Sequence, residues 1–181
     1  MGSLIVLMGP TGAGKSAQGD LLAEHYKAAH LSSGKLLRAD PHAAATLSDG
    51  RLAPAEEVER VVGAAMAKVP DSTLLILDGT PRTESNVRWL DKHLPVYHRH
   101  LVKAVLIDLD IETSMKRLSI RGRMDDTAAA VREKWQLFDE ITRPVVGHYR
   151  DLGLLVTVDG RGTIAEVHEL MKEALMGIVS A

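Results

Sequence analysis

The stretch Gly9-Pro10-Thr11-Gly12-Ala13-Gly14-Lys15-Ser16 constrains this chain more than any other. It matches G-x-x-x-x-G-K-[ST], a loop whose backbone wraps a phosphate group. The flanks have the form that the loop requires. Leu4-Ile5-Val6-Leu7-Met8 is a continuous apolar run, as in a strand buried on both faces of a parallel sheet. After the loop, Leu21, Leu22, His25 and Tyr26 recur at helical spacing. Glycines let the backbone approach a phosphate without a Cβ in the way. Free N–H groups at the helix start, together with the helix dipole, favour its negative charge. Lys15 adds a mobile cation near the outer phosphates, and the Ser16 hydroxyl suits Mg²⁺. The loop implies a bound nucleotide phosphate chain and does not name a reaction.

The 181 residues suffice for one domain with a substantial core. Further strand-like runs occur at Leu74–Leu77, Val102–Leu109 and Leu154–Val158, with helical patterns between them. That alternation predicts α/β layers around a mostly parallel sheet. Ser32 and Ser33 ahead of Leu36-Leu37 read as a helix start, and a second helix carrying Val58, Val61 and Val62 begins near Pro54. Thr83 or Ser85 opens another. Asp125-Asp126-Thr127 supplies cap chemistry for a long helix bearing Val131, Trp135 and Phe138, which Pro144 should kink or end. A closing helix turns Val167, Leu170, Met171 and Leu175 inward.

The formal charge of −2 and an aromatic content of 3% argue against a nucleic-acid partner. No apolar run approaches the ~18 residues of a membrane span, so no membrane partner is expected. The start of the chain lacks the pattern of a secretory signal, and the expected location is the cytoplasm. The absence of cysteine removes disulfides and thiolate zinc sites.

In open parallel sheets ligands sit at the carboxyl ends of strands. Asp78 follows the Leu74–Leu77 run and suits either a turn cap or the Mg²⁺ side of a triphosphate; beside a phosphate loop the second role is favoured. Arg82 follows directly on Pro81. Arg117 and Arg121 are i and i+4 on one helix face, and Arg123 lies just past Gly122. Three guanidiniums near one loop suit a phosphoryl group in transfer; taken alone, they also suit a solvated face paired with Asp125 and Asp126. His93, His98 and His100 read as an exposed loop rather than a metal site, since no carboxylate pair accompanies them. No nucleophile–base pattern supports a covalent mechanism.

Taken in order, the loop with Gln18, Leu31-Ser32-Ser33-Gly34 to Leu37-Arg38, Leu77-Asp78-Gly79-Thr80-Pro81-Arg82 to Asn86, Arg117 to Asp126, and Val158-Asp159-Gly160 resemble the adenylate kinase family of nucleoside monophosphate kinases. The resemblance covers nearly the whole chain. It implies a P-loop NTPase fold, a five-stranded parallel sheet flanked by helices in three α/β/α layers. It also implies a single domain over 1–181, with a shortened acceptor-binding helical segment at about 32–68 and a minimal lid at about 121–126. The implied reaction is reversible transfer of the γ-phosphoryl of MgATP to AMP, giving two ADP. ATP would be held by Gly9, Thr11, Gly12, Ala13, Gly14, Lys15, Ser16, Ala17, Arg117 and Gly162. The acceptor would be held by Ser33, Gly34, Arg38, Gly79, Arg82 and Asn86. Lys15, Arg82, Arg121 and Arg123 would carry the catalysis, Asp125 and Asp126 would orient the arginines, and Ser16 and Asp78 would serve Mg²⁺, the latter through water. The partners implied are small-molecule nucleotides, and the chain is expected to act as a monomer.

The chain departs from the family pattern in several places. Ser16 stands where these kinases usually carry glycine, Lys35 where an acidic or polar residue is common, and Thr80 where an aromatic is usual. The helix arginine after the Asp pair is matched by Lys134, with Arg132 two residues earlier, and lysine cannot reproduce a bidentate contact. Between Gly122 and Arg123 no lid insert exists, so no zinc or hydrogen-bonded lid forms there. Incomplete closure predicts weaker ATP binding or ATP hydrolysis without acceptor. Ser33 and Asn86 lean toward a pyrimidine acceptor, which keeps a UMP/CMP kinase as the alternative. A non-catalytic phosphate-loop protein would lack Arg82, Arg121 or Arg123, and all three are present.

Overall fold

The computed structural model describes residues 1–44, 52–122 and 127–178. Five parallel strands form one sheet: β1 (Gly2–Met8), β2 (Ala29–Ser32), β3 (Leu75–Asp78), β4 (Arg99–Asp108) and β5 (Leu155–Asp159). Their order is β2-β3-β1-β4-β5, so the strand that feeds the phosphate loop is central. Side chains alternate between the two faces of a strand. Leu4, Val6 and Met8 enter one core with Leu75, Leu77, Ala104 and Leu106. Ile5 and Leu7 enter the other with Ile76, Val105 and Ile107. Both faces are apolar because both are covered, which is why β1 reads as an unbroken apolar run.

On the first face lie α2 (Ser33–Ala39), the short α3 (Pro41–Ala44), α4 (Ala55–Met66), α5 (Glu84–His93) and α8 (Arg143–Asp151). On the second lie α1 (Lys15–Tyr26) and α9 (Ile164–Leu175), contributing Leu22, Tyr26, Val167, Met171 and Leu175. Two further helices, α6 (Ile111–Arg121) and α7 (Ala128–Leu137), share a small cluster of Leu118, Val131 and Trp135 above the sheet ends.

The local chemistry accounts for the boundaries. Asp110 caps α6 by accepting from Thr113 N at 2.7 Å, and Gly122 ends that helix in the left-handed region. Thr127 caps α7, and Thr163 with Glu166 forms a capping box on α9. Thr83, not Ser85, caps α5.

Four expectations are corrected. β4 begins at Arg99 rather than Val102, so His100 lies in a strand. Leu170 faces solvent at 41% exposure while Val167, Met171 and Leu175 point inward. Pro144 does not end the helical path. A π-helical turn at Phe138–Thr142 widens the backbone just ahead of it, and Pro144 falls in the first turn of α8, where its missing N–H has no intrahelical role. The fourth concerns β2, which no apolar run announced. It is a four-residue edge strand that carries His30 and Ser32.

Candidate active site

A cleft of about 1100 Å³ opens at the carboxyl ends of β1, β2 and β3. Its lining brings together Gly9, Thr11, Gly12, Ala13, Gly14, Lys15, Ser16, Ala17, Ser33, Gly34, Arg38, Asp78, Gly79, Arg82, Asn86, Arg117, Arg121 and Gly162. Every sequence-derived site residue that is described therefore faces one cavity. Arg123, Asp125 and Asp126 lie outside the described residues.

The phosphate loop is tightly shaped. Gly9 has φ 144°, and a Cβ there would come within 2.6 Å of the Ile107 carbonyl oxygen of β4. Only glycine fits such a position. Lys15 Nζ donates to the carbonyls of Gly9 at 2.7 Å and Pro10 at 2.8 Å, which curls the loop over the ammonium. Burial lowers the Lys15 pKa to about 8; Asp78 opposes that shift, and the charges of Arg82 and Arg121 add to it. These four groups thus sense one another across a single space.

Asp78 is buried at 2% exposure, at the end of β3. Burial alone would raise its pKa, yet the carboxyl is held at about 2 by His30, Lys15, Ser16 and Ser32. Ser16 Oγ donates to Asp78 Oδ2 at 2.5 Å. His30 Nε2 lies 3.9 Å from the same oxygen, too far for a hydrogen bond, so the two interact through charge. On its other side His30 Nδ1 meets Asp20 Oδ1 at 2.7 Å, and Asp20 also pairs with Lys35 at 2.9 Å. Lys35, unusual by sequence, therefore belongs to a chain of charges that runs behind Asp78.

The acceptor end is built from α2, the β3–α5 turn and α5. Arg82 Nε donates to Gly79 O at 2.7 Å, which turns its guanidinium back along the cleft. Burial lowers the Arg82 pKa, Asp78 offsets part of that, and the neighbouring charge of Arg38 lowers it further. Ser33 is buried and packs where a Gly79 Cβ would stand, 2.6 Å from its Oγ. Asn86 Oδ1 accepts from the Arg82 amide at 3.4 Å, and its buried Nδ2 has no hydrogen-bond partner among the described residues. That amide is a donor held ready inside the cleft. Asp40, beyond α2, accepts from the amides of His42 and Ala43 and from Arg60 of α4 at 2.9 Å, tying the acceptor segment together.

From α6, Arg117 Nη2 donates to Gly162 O at 2.7 Å, and Ser114 Oγ donates to Thr11 O at 2.7 Å. Gln18 of α1 donates to Ile164 O at 2.8 Å, joining the first turn of α1 to the start of α9. Lys134 lines the cleft, whereas Arg132 is exposed and does not line it. Two groups close to the site escaped sequence reasoning. His30 is a single histidine with no motif around it, and Ser114 is an ordinary helix-interior serine; only three-dimensional proximity marks either.

Hard oxygen donors, Ser16 Oγ and the Asp78 carboxylate, meet at the floor of the cleft, and among the described residues no group of three His, Cys, Asp or Glu gathers to hold a metal. Such a donor set suits Mg²⁺ carried in by phosphate oxygens and waters rather than by a cage of side chains.

A family model described as adenylate kinase matches residues 7–154. The chain is 36% identical over 183 residues to an adenylate kinase of Prochlorococcus marinus (strain MIT 9211), covering 97% of this chain and 98% of that protein. It is 35% identical to an adenylate kinase of Nocardia farcinica (strain IFM 10152), over 94% of this chain and 98% of the relative. An adenylate kinase of Flavobacterium johnsoniae is 32% identical over 94% and 97%. These relatives are spanned almost end to end.

Proposed function

The chain belongs to the adenylate kinase family: it is a phosphotransferase that converts ATP and AMP into two ADP, and we propose that the cleft described above performs the transfer. The observation that carries this reading is the meeting of Lys15, Arg82 and Arg121 with Asp78 in one cavity, from segments far apart in the chain.

In the proposed arrangement the loop amides and Lys15 hold the phosphates of ATP, and Arg117 flanks them with its hold on Gly162. Arg38 and Arg82 hold the phosphate of AMP. An oxygen of that phosphate attacks the γ-phosphorus; the bond from γ-phosphorus to the bridging oxygen breaks, and ADP leaves with the electron pair. No bond to the protein forms, so the side chains act by alignment and by neutralising charge. Lys15, Arg121 and Arg123 serve the transferring group. Ser16 and Asp78 would hold Mg²⁺, Asp78 through water, and the ion would neutralise charge across the β- and γ-phosphate oxygens. Asp125 and Asp126 would orient the arginines. The segment at about 32–68 acts as the acceptor-binding unit.

Asn86 and Ser33 make the acceptor base the point to test. Purified protein with ATP should form ADP with AMP and far less with UMP or CMP. Efficient turnover of UMP without AMP would replace the reading with a UMP/CMP kinase, and nucleotide binding without ADP formation would favour a non-catalytic binder. No described helix is long and apolar enough to cross a membrane. A monomer acting in the cytoplasm on free nucleotides completes the proposal.

A further inference from the structure

Four consecutive carbonyls of the phosphate loop are each engaged by a side chain. Lys15 takes Gly9 O and Pro10 O, Ser114 takes Thr11 O, and Arg117 Nη1 reaches Gly12 O at 3.5 Å. Lys15 and Arg117 line the cleft and are cations, so an incoming triphosphate competes for both. Ser114 differs on each count. It is uncharged, 0% exposed, and lies behind the loop rather than in the cleft lining. Its bond to Thr11 O therefore persists whichever ligand is present.

That bond fixes a peptide plane. The Thr11–Gly12 peptide is trans, so its N–H points opposite to its carbonyl. With Thr11 O held against α6, the Gly12 N–H is turned away from α6. The fit is close on the glycine side too: a Cβ on Gly12 would lie 2.8 Å from Ser114 Oγ, and Gly12 has φ +79°. Without the serine hydroxyl nothing else among the described residues holds this carbonyl, and glycine's freedom allows the peptide to rotate.

We infer that Ser114 is a positioning residue for the phosphate donor, acting through the Thr11–Gly12 peptide to keep the Gly12 amide aimed at the phosphates of a nucleoside triphosphate. This rests on the proposed placement of ATP on the loop. Calorimetric titration of Ser114→Ala with ATP in Mg²⁺ and, separately, with AMP tests it. ATP should weaken about tenfold while AMP stays within about twofold, the size expected for one buried hydrogen bond to a ligand-holding peptide. Unchanged ATP affinity, or equal weakening of ATP and AMP with a lowered melting point, would overturn the inference, since a merely structural serine affects both ligands alike. A second measurement needs no variant: in the unmodified protein the Gly12 amide proton resonance should shift on saturation with ATP and not with AMP, and a Gly12 signal indifferent to ATP overturns it equally. Because binding is read directly, absence of transfer to AMP would sink the proposed function without deciding this one.

Discussion

Ser16 Oγ donates to Asp78 Oδ2 at 2.5 Å, joining the helix that follows β1 to the end of β3 across 62 residues of sequence. The bond sets two hard oxygens side by side on the cleft floor, where a metal ion bound to phosphates would need them. Asp78→Asn removes the charge and keeps the shape. It should lower kcat about 10²-fold and raise the Mg²⁺ concentration for half-maximal rate. Ser16→Gly, which restores the residue common at this position in the family, should cost only a few-fold. An Mg²⁺ titration at saturating nucleotides distinguishes them; an Asp78→Asn enzyme with an unaltered Mg²⁺ requirement would remove Asp78 from this role.

Arg82 and Arg38 bring two positive charges together at the acceptor end; burial lowers the pKa of Arg82, and the charge of Arg38 adds to that. Such crowding of like charges is relieved when a phosphate arrives between them. Arg82→Ala should reduce kcat/KM for AMP by about 10²- to 10³-fold and leave the ATP dissociation constant within about threefold. Arg82→Lys should recover little, because an ammonium cannot reproduce a two-pronged contact. Coupled assays with varied AMP, alongside ATP calorimetry, separate the two effects. Equal damage to both ligands would mean that Arg82 shapes the whole cleft instead of one end.

Much of this arrangement is legible in the sequence because its signals are local. The loop from Gly9 to Ser16 lies between an apolar strand and a helix, and the cleft gathers those residues nominated by the motifs that are described. The strands buried on both faces announce themselves as apolar runs. What the sequence hides depends on distance or on mixed polarity. β2 carries His30 and Ser32 because one edge of it serves the site, and so it lacks a strand's hydrophobic signature. The bond from Ser114 to Thr11 spans 103 residues and involves a residue type common in any helix. Pro144 signals a helix kink or end, yet a π-helical turn just before it leads directly into α8 with Pro144 in the first turn, an arrangement that local propensity does not encode.

The acceptor segment is fastened at Asp40, whose carboxyl is held at about 2 first by Arg60 and then by the Ala43 amide. A carboxylate depressed in the folded state contributes stability that is full above its unfolded value, about 4, and that is lost as pH falls toward the folded value. Asp40→Asn should therefore melt below the unmodified protein at neutral pH, and the gap should narrow as pH drops from about 4 toward 2. Thermal midpoints across that range give the answer. A gap of constant size would mean that the ionised carboxylate contributes nothing beyond the shape of the side chain.

At the opposite end of the sheet Arg99 is 0% exposed and donates to the carbonyls of Thr73, Val69 and Pro70 at 2.8, 3.2 and 2.6 Å. These carbonyls belong to the turn between α4 and β3, so the guanidinium clasps that turn to the first residue of β4. Arg99→Met keeps much of the volume, takes the guanidinium from the Thr73 and Val69 carbonyls, and leaves Pro70 O only its bond from Thr73 N–H. The expected loss is about 3 kcal/mol in urea unfolding, with kcat near room temperature unchanged because the residue stands far from the cleft. A stability close to that of the unmodified protein would show that water or a shifted turn replaces the arginine.

Arg121, Gly122 and Arg123 are consecutive in the sequence, and Arg121 ends α6 at the rim of the cleft. A closing element excludes water from a phosphoryl group once both substrates are bound. With so little chain available to cover the γ-phosphate, water should reach it when AMP is absent. ATP hydrolysis without acceptor is then expected on the order of 1% of the transfer rate, the scale at which incomplete exclusion of water becomes visible. Phosphate release from ATP alone measures it, and addition of an unreactive AMP analogue should suppress the release by filling the acceptor end. A hydrolysis rate below about one ten-thousandth of transfer would show that Lys134 and the arginines close over ATP without a longer lid.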